Sequence, residues 1–317
     1  MVITTVSGDI SPSDLGFCQS HEHLSIIREY PASVSSDQCI DDWEKSCQEL
    51  KLYRHFGGGA VVDAQGLGCG RDAAMLRDIS KKSGVHIIAS TGFHKMFFYP
   101  EGHWIYSIST DNLTRLYLAE LTCGMFIDGD NGYPVKQISA RAGQIKAALD
   151  IGEFTSQYRK VFTAAAEAAK ISGGVLMVHI EKGSDPIALA DFLNKQGVVP
   201  NRIIFCHLDR AIADIGIHRE ACARSIILEY DTIGRPKYHS DEAEVRIILE
   251  MLKAGYEKQL LMSLDTTRTR LKSYGGNPGL AYIIEHFIPL LRRKELPEEQ
   301  ISLFFKENPA RIFSKKA

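Results

Sequence analysis

The feature that most constrains this chain is a recurrence: eight short apolar runs, each bounded by turn residues, with helical patterns between them. The runs lie at 17–23, 59–64, 85–91, 143–147, 174–180, 202–207, 225–231 and 259–265. Near-continuous apolar character, rather than strict alternation, is the pattern of strands covered on both faces of a parallel sheet. Parallel neighbours cannot be joined by a hairpin; they need a crossover, usually a helix. Helical periodicity falls at 71–83, 110–125, 155–171, 186–195, 210–223, 241–254, 280–294 and 298–306. Such alternation along 317 residues predicts an α/β chain, a closed (β/α)8 TIM barrel forming one domain over 1–317. An open doubly wound sheet is the rival. Against it, no Gly-x-Gly-x-x-Gly opens a helix after an early strand.

Composition narrows the function classes. The chain is 44% hydrophobic and 24% charged, enough for a large core, and its net charge of −2 offers no attraction to nucleic acid or to a membrane surface. No apolar stretch is long enough to span a bilayer. The seven cysteines are an odd number without a Cys-x-x-Cys, which reads as reduced thiols, several of them core fillers. The N-terminus lacks a basic region followed by a long apolar run, so a cytoplasmic protein is expected. The expected partner is a small-molecule substrate, and the expected assembly is a homodimer.

In such barrels chemistry sits at the C-terminal ends of the strands. His21 and His23 end the first run one residue apart; on a strand they share a face and Glu22 takes the other. The fourth run carries Lys146, the fifth ends at His179, the sixth at His207 and the eighth at Asp265. Singly, each has a bland reading: a satisfied histidine near the core, or Asp265 capping the next helix. Together, four histidines, a lysine and an aspartate at strand ends point to a metal site. An ammonium cannot ligate a cation. Carbamylation by carbon dioxide would turn Lys146 into an anionic ligand with two oxygens, able to bridge two cations. The other reading is a lysine snorkelling at the rim.

These residues stand in a pattern that resembles the phosphotriesterase-related group of the amidohydrolase superfamily. The matching pieces are Gln19-Ser20-His21-Glu22-His23, Val62-Asp63, Gly70-Arg71-Asp72, Ser90-Thr91-Gly92-Phe93, Ile145-Lys146, Val178-His179, Cys206-His207-Leu208-Asp209-Arg210 and Leu264-Asp265. The final Glu307-Asn308-Pro309-Ala310-Arg311-Ile312-Phe313 also looks like that family's end. The resemblance implies two divalent metals, usually zinc, with a hydroxide between them. By it, His21, His23 and Asp265 hold the first, His179 and His207 the second, and carboxylated Lys146 bridges both. Two cations about 3.5–4 Å apart lower the pKa of a bridging water and polarise the substrate oxygen. Asp265 then accepts the proton and passes it to the leaving group. Asp209 is either a relay behind the site or an N-cap of the following helix.

The donor set leaves the scissile bond open, and the two loops after the seventh and eighth runs say more. They carry Arg235, Lys237, Arg268, Arg270 and Lys272, five cations in a chain without net positive charge. Loops in these positions often bind phosphate. A phosphotriester is neutral and suits an apolar pocket, whereas a phosphorylated substrate suits cations. The loops look like the branch that hydrolyses phosphorylated sugar lactones, and that likeness assigns Lys237 and Arg268 to the phosphate. Leu271 stands where several relatives have an aromatic residue, and His94 where many lactonases have tyrosine. The expected activity is therefore a metal-dependent hydrolase opening phosphorylated sugar lactones. The alternatives are a lactonase for apolar acyl lactones, a promiscuous phosphotriesterase, or a barrel with purely structural metals.

Overall fold

The computed structural model describes residues 1–151 and 154–316. Eight parallel strands run in chain order round the sheet: β1 Phe17–Glu22, β2 Gly58–Asp63, β3 His86–Gly92, β4 Gln144–Leu149, β5 Val175–Ile180, β6 Ile203–Cys206, β7 Ile227–Tyr230 and β8 Leu260–Met262. This is the expected (β/α)8 barrel. Its strands alternate between two cores, as a period of two requires. Cys18, Ala60, Val62, Ile88, Val175, Met177, Ile204, Cys206, Ile227 and Leu261 fill the lumen. Val61, Ile87, Leu176, Val178, Phe205 and Leu228 face the helical shell.

The β8–β1 seam has no regular ladder and is closed by other bonds. The Asp265 amide donates to the His21 carbonyl at 3.0 Å. The Ser20 hydroxyl donates to the Met262 carbonyl at 3.3 Å. Glu22, wholly buried, accepts from the amides of Leu264 and Thr266, both at 3.0 Å, and from the Thr266 hydroxyl at 2.7 Å. The register of β1 against β2 slips between Gln19 and Glu22. That irregularity turns Glu22 to the seam and His21 into the lumen.

The shell is built from α1 Trp43–His55, α2 Ala73–Ser83, α3 Thr110–Thr122, α4 Ser156–Ser172, α5 Pro186–Lys195, α6 Ile215–Ala223 and α7 Asp241–Lys253, followed by a helix over 283–293 that begins as a π-turn. Asp42, Asp72, Asp185 and Asp214 cap α1, α2, α5 and α6 through backbone amides. The helix expected over 210–223 is two pieces, Leu208–Ala211 and α6, with Asp214 starting the second. α1 carries no expectation from the sequence. Its buried face includes Ser46 and Glu49, whose side chains bond loop backbone at Leu24, Ser273 and Leu280, so its apolar period is broken. The segment after 298, expected as one helix to 306, continues to Phe313. No described helix is long and apolar enough to cross a membrane.

One buried ion pair ties the long β3–β4 excursion to the barrel. Arg71 meets Glu120 of α3 through two bonds at 2.9 and 2.6 Å, and also donates to the carbonyls of Ser90 and Phe126. Both side chains are buried. Arg71→Met leaves a carboxylate without its cation in the interior, and should lower unfolding free energy by about 3–5 kcal/mol in denaturant titrations. The double variant Arg71→Met/Glu120→Leu should recover most of that loss, because a buried pair replaced whole by apolar residues is close to neutral.

Candidate metal centre

The lumen's apolar filling stops at the C-terminal end of the strands, and the inward positions turn polar there. His21, Glu22, His23, Lys146, His207, Glu229, Asp231 and Asp265 are all buried, and His179 nearly so. His21 Nε2 lies 3.2 Å from Lys146 Nζ and 3.7 Å from Asp265 Oδ1. His23 Nε2 lies 3.5 Å from the same Asp265 oxygen. The His207 ring lies tilted against His21 and edge-on to His179, with centroids 4.9 and 4.3 Å away. All six residues singled out as donors therefore surround one small volume at the barrel mouth.

The donors fit a cation in chemistry and in what they lack. His21, His23 and Asp265 present donor atoms within 4.8 Å of one another, and so do His207, Asp231 and Asp265. His179 falls in neither set; its Nε2 faces Glu181 Oε2 at 3.3 Å. His23 Nδ1 is buried without a hydrogen-bond partner among the described residues, while the buried His207 Nδ1 and Asp231 Oδ2 face one another at 2.6 Å. Burial holds the imidazoles of His21 and His207 well below their usual pKa and that of His179 at about 4, so the rings are neutral, as ligation requires. Lys146 is wholly buried, and among the described residues no carboxylate comes within ion-pair distance of its amine. An unpaired ammonium there is costly.

Asp265 is held from the side opposite the histidines. Burial raises its carboxyl pKa, but Arg235 and Arg210 outweigh that and keep it well below the usual range. Both guanidiniums reach Oδ2, at 2.8 and 2.9 Å, which leaves Oδ1 toward His21 and His23. Asp265 does not cap a helix; Thr267 precedes the short turn that follows. His207 and Asp265 both adopt left-handed backbone, with φ of 69° and 50°. For a residue with a Cβ this costs roughly 1–2 kcal/mol, and such strain gathers at functional sites. Asp209 is no N-cap either. It sits inside Leu208–Ala211 and its Oδ2 accepts the amides of Asp231 and Thr232 at 3.0 and 2.7 Å, so it shapes the β7 loop.

The five loop cations separate. Arg235 binds Asp265. Arg270 donates to the carbonyls of Ile233, Gly234 and Leu264, bracing the two loops together. Lys272 pairs with Glu285. Arg268 donates to the Cys39 carbonyl at 2.8 Å and lines a separate cleft of about 440 Å³ with Arg28. Lys237 alone has no ion-pair partner among the described residues; it lies over the Tyr238 ring at 4.9 Å and lines a cavity of about 640 Å³ beside His179 and Arg210. The structure thus does not bring Lys237 and Arg268 to one cavity. His94 is buried with its ring 5.6 Å from that of His179, and Leu271 is wholly buried in the core.

Two carboxylates around the centre, Glu229 and Asp231, are not singled out by the sequence, and Arg210 and Arg235 stand there only in a motif and among the loop cations, not as partners of Asp265. Leu228-Glu229-Tyr230-Asp231 carries the same two-residue spacing as His21 and His23, and that was the available signal. Burial and mutual repulsion push the carboxyls of Glu229 and Asp231 upward.

The chain as a whole has a match among known protein families. The family model described as "Phosphotriesterase family" covers residues 1–313. The chain belongs to the phosphotriesterase family. As a member of that family it is a hydrolase acting on a small molecule. It is 28% identical over 320 residues to a phospho-furanose lactonase of Mycoplasmopsis synoviae, covering 98% of this chain and 91% of that one. It is 28% identical over 350 residues to an N-acetyltaurine hydrolase of Tetraodon nigroviridis, covering 97% and 96%. Among solved structures, a lactonase from Listeria monocytogenes superposes with a TM-score of 0.90 at 27% identity, with both chains fully covered.

The division of the family member's loop cations into braces and a free lysine can be tested without substrate. Arg235→Met should lower stability by about 1.5–3 kcal/mol, the worth of hydrogen bonds to a charged partner. Lys237→Met should change it by less than about 0.5 kcal/mol. Urea unfolding of the two variants side by side measures the contrast.

Proposed function

We propose that this protein is a lactonase of the phosphotriesterase family, with phosphorylated sugar lactones as its substrates and a pair of divalent cations at the barrel mouth. The observation that carries the substrate class is Lys237, the one loop cation left uncommitted, facing the cavity beside His179. The phospho-furanose lactonase relatives support it. His21, His23 and Asp265 would hold one ion, His179 and His207 the other, with carboxylated Lys146 between them. Zinc is the expected ion, and the bound pair supplies an activated water and polarises the lactone carbonyl.

The chain's own residues do the rest. Asp265 is fixed at Oδ2 by Arg210 and Arg235, so its Oδ1 stays directed at the reacting centre. From there it can take the proton of the attacking water and deliver it to the departing ring oxygen. Asp209 fixes the turn from β7 through two backbone amides and so sets where Lys237 stands. Lys237 binds the substrate phosphate away from the scissile bond, whereas Arg268 lines a separate cleft. Remote binding of that kind orients the carbonyl and raises turnover as well as affinity. A second reading has support from the N-acetyltaurine hydrolase relatives: an amide substrate that also carries an oxyanion. Assaying N-acetyltaurine beside the lactones distinguishes it.

After reconstitution with zinc and bicarbonate, metal analysis should return two ions per chain. Lys146→Ala should lose the pair and most activity, and short carboxylic acids added to the variant should restore part of both. Undiminished activity in Lys146→Ala would rule out the carbamate.

Lys237→Ala should lower kcat/KM for phosphorylated lactones by one to two decades, the equivalent of a charge-assisted contact of about 1.5–3 kcal/mol. It should barely change unphosphorylated analogues. Arg268→Ala tested in parallel tells whether the neighbouring cleft also serves the phosphate. If wild type prefers unphosphorylated lactones, apolar acyl lactones replace this substrate class.

A further inference from the structure

β7 supplies none of the proposed metal donors, yet the carboxylates of Glu229 and Asp231 end against the backs of two histidines. His21 Nδ1 lies 3.2 Å from Glu229 Oε2, while its Nε2 faces Lys146 and Asp265. His207 Nδ1 lies 2.6 Å from Asp231 Oδ2. Both carboxylates are wholly buried and held from behind. Glu229 Oε1 receives the hydroxyls of Ser263 and Ser20, from β8's end and from β1. Asp231 Oδ1 receives Arg210 at 3.1 Å. Among the described residues Glu229 has no lysine or arginine partner. As a mere core filler it would be a poor choice, because a buried carboxylate without a cation is a liability.

We propose that Glu229 and Asp231 are positioning residues that hold the Nδ1–H of His21 and of His207, so that each ring presents a bare Nε2 to the metal centre. A neutral imidazole has one donor and one acceptor nitrogen, and the partner of the first decides where the second points. A carboxylate can only accept, so it selects one tautomer and also fixes the ring's rotation about its stem. One strand thereby orients a donor from each half of the site. This inference rests on the reading of His21 and His207 as metal donors.

The test has two readouts besides activity. The first is the histidine tautomer in metal-free wild type, from two-bond nitrogen–proton NMR correlations. The second is zinc affinity by competition with a chromophoric chelator, for wild type, Glu229→Gln, Glu229→Leu and Asp231→Asn. Wild-type His21 and His207 should be Nδ1–H tautomers. Glu229→Leu should bind zinc 10–100-fold more weakly and lose the His21 tautomer preference. Glu229→Gln keeps an accepting oxygen and should fall between. Asp231→Asn should show its tautomer change at His207. An Nε2–H tautomer at His21 in wild type means that Glu229 donates, and overturns the proposal. So does a Glu229→Leu protein with lowered thermal stability but unchanged zinc affinity, which is the signature of a purely structural carboxylate. If Glu229→Leu does not fold, the wild-type tautomers and Glu229→Gln decide. If wild type itself binds no zinc, the donor reading of the histidines falls, and this proposal with it.

Discussion

Everything at the mouth of this barrel depends on how β8 is joined to β1. β8 is only Leu260–Met262, too short to zip the seam with a ladder, and the work falls to side chains and to single amides. Glu22 is the centre of that closure, accepting from three donors beyond β8. Its neighbours in sequence are His21 and His23, and the residue its bonds flank on the other side is Asp265. The contacts that close the cylinder are therefore the ones that bring the first and last candidate donors together. The Asp265 amide bonded to the His21 carbonyl states this most directly, since the same bond belongs to the seam and to the site.

The electrostatics follow from the same layout. The lumen is largely apolar toward the N-terminal ends of the strands and polar toward their C-terminal ends, with Gln144 at the start of β4 an exception. Neutral histidines line one side, and guanidiniums stand behind Asp265 on the other. The lysine in the polar layer is wholly buried and, among the described residues, has no carboxylate within ion-pair distance. An ammonium in that position is costly to bury.

Much of this was legible beforehand, for definable reasons. Doubly buried parallel strands advertise themselves as apolar runs, so all eight were visible, seven of them to within two residues at either end, while the eighth run, 259–265, outruns its strand Leu260–Met262 by three residues. A polar side chain interrupting such a run has few reasons to be there, so His21, His23, Lys146, His179, His207 and Asp265 stood out. Glu229 and Asp231 interrupt a run in the same way but were passed over beside the cationic loop that follows. α1 was hidden because its inner face uses Ser46 and Glu49 to bind loop backbone. The loop cations could be counted but not sorted: charge is a property of a residue, while pairing is a property of the fold. Only coordinates separate Lys237, which faces open space, from Arg270, which is tied to three carbonyls.

Arg270 has a wider consequence. By gripping Ile233 and Gly234 in one loop and Leu264 in the other, it makes the two loops a single mechanical part. Such a part cannot be remodelled one loop at a time, because an insertion or shift in either pulls on the other and, through Leu264, on the backbone next to Asp265. Divergence toward new substrates is thereby channelled to the side chains that hang outside the brace, such as Lys237 and Tyr238. The layer of candidate donors is insulated from that experimentation by one guanidinium.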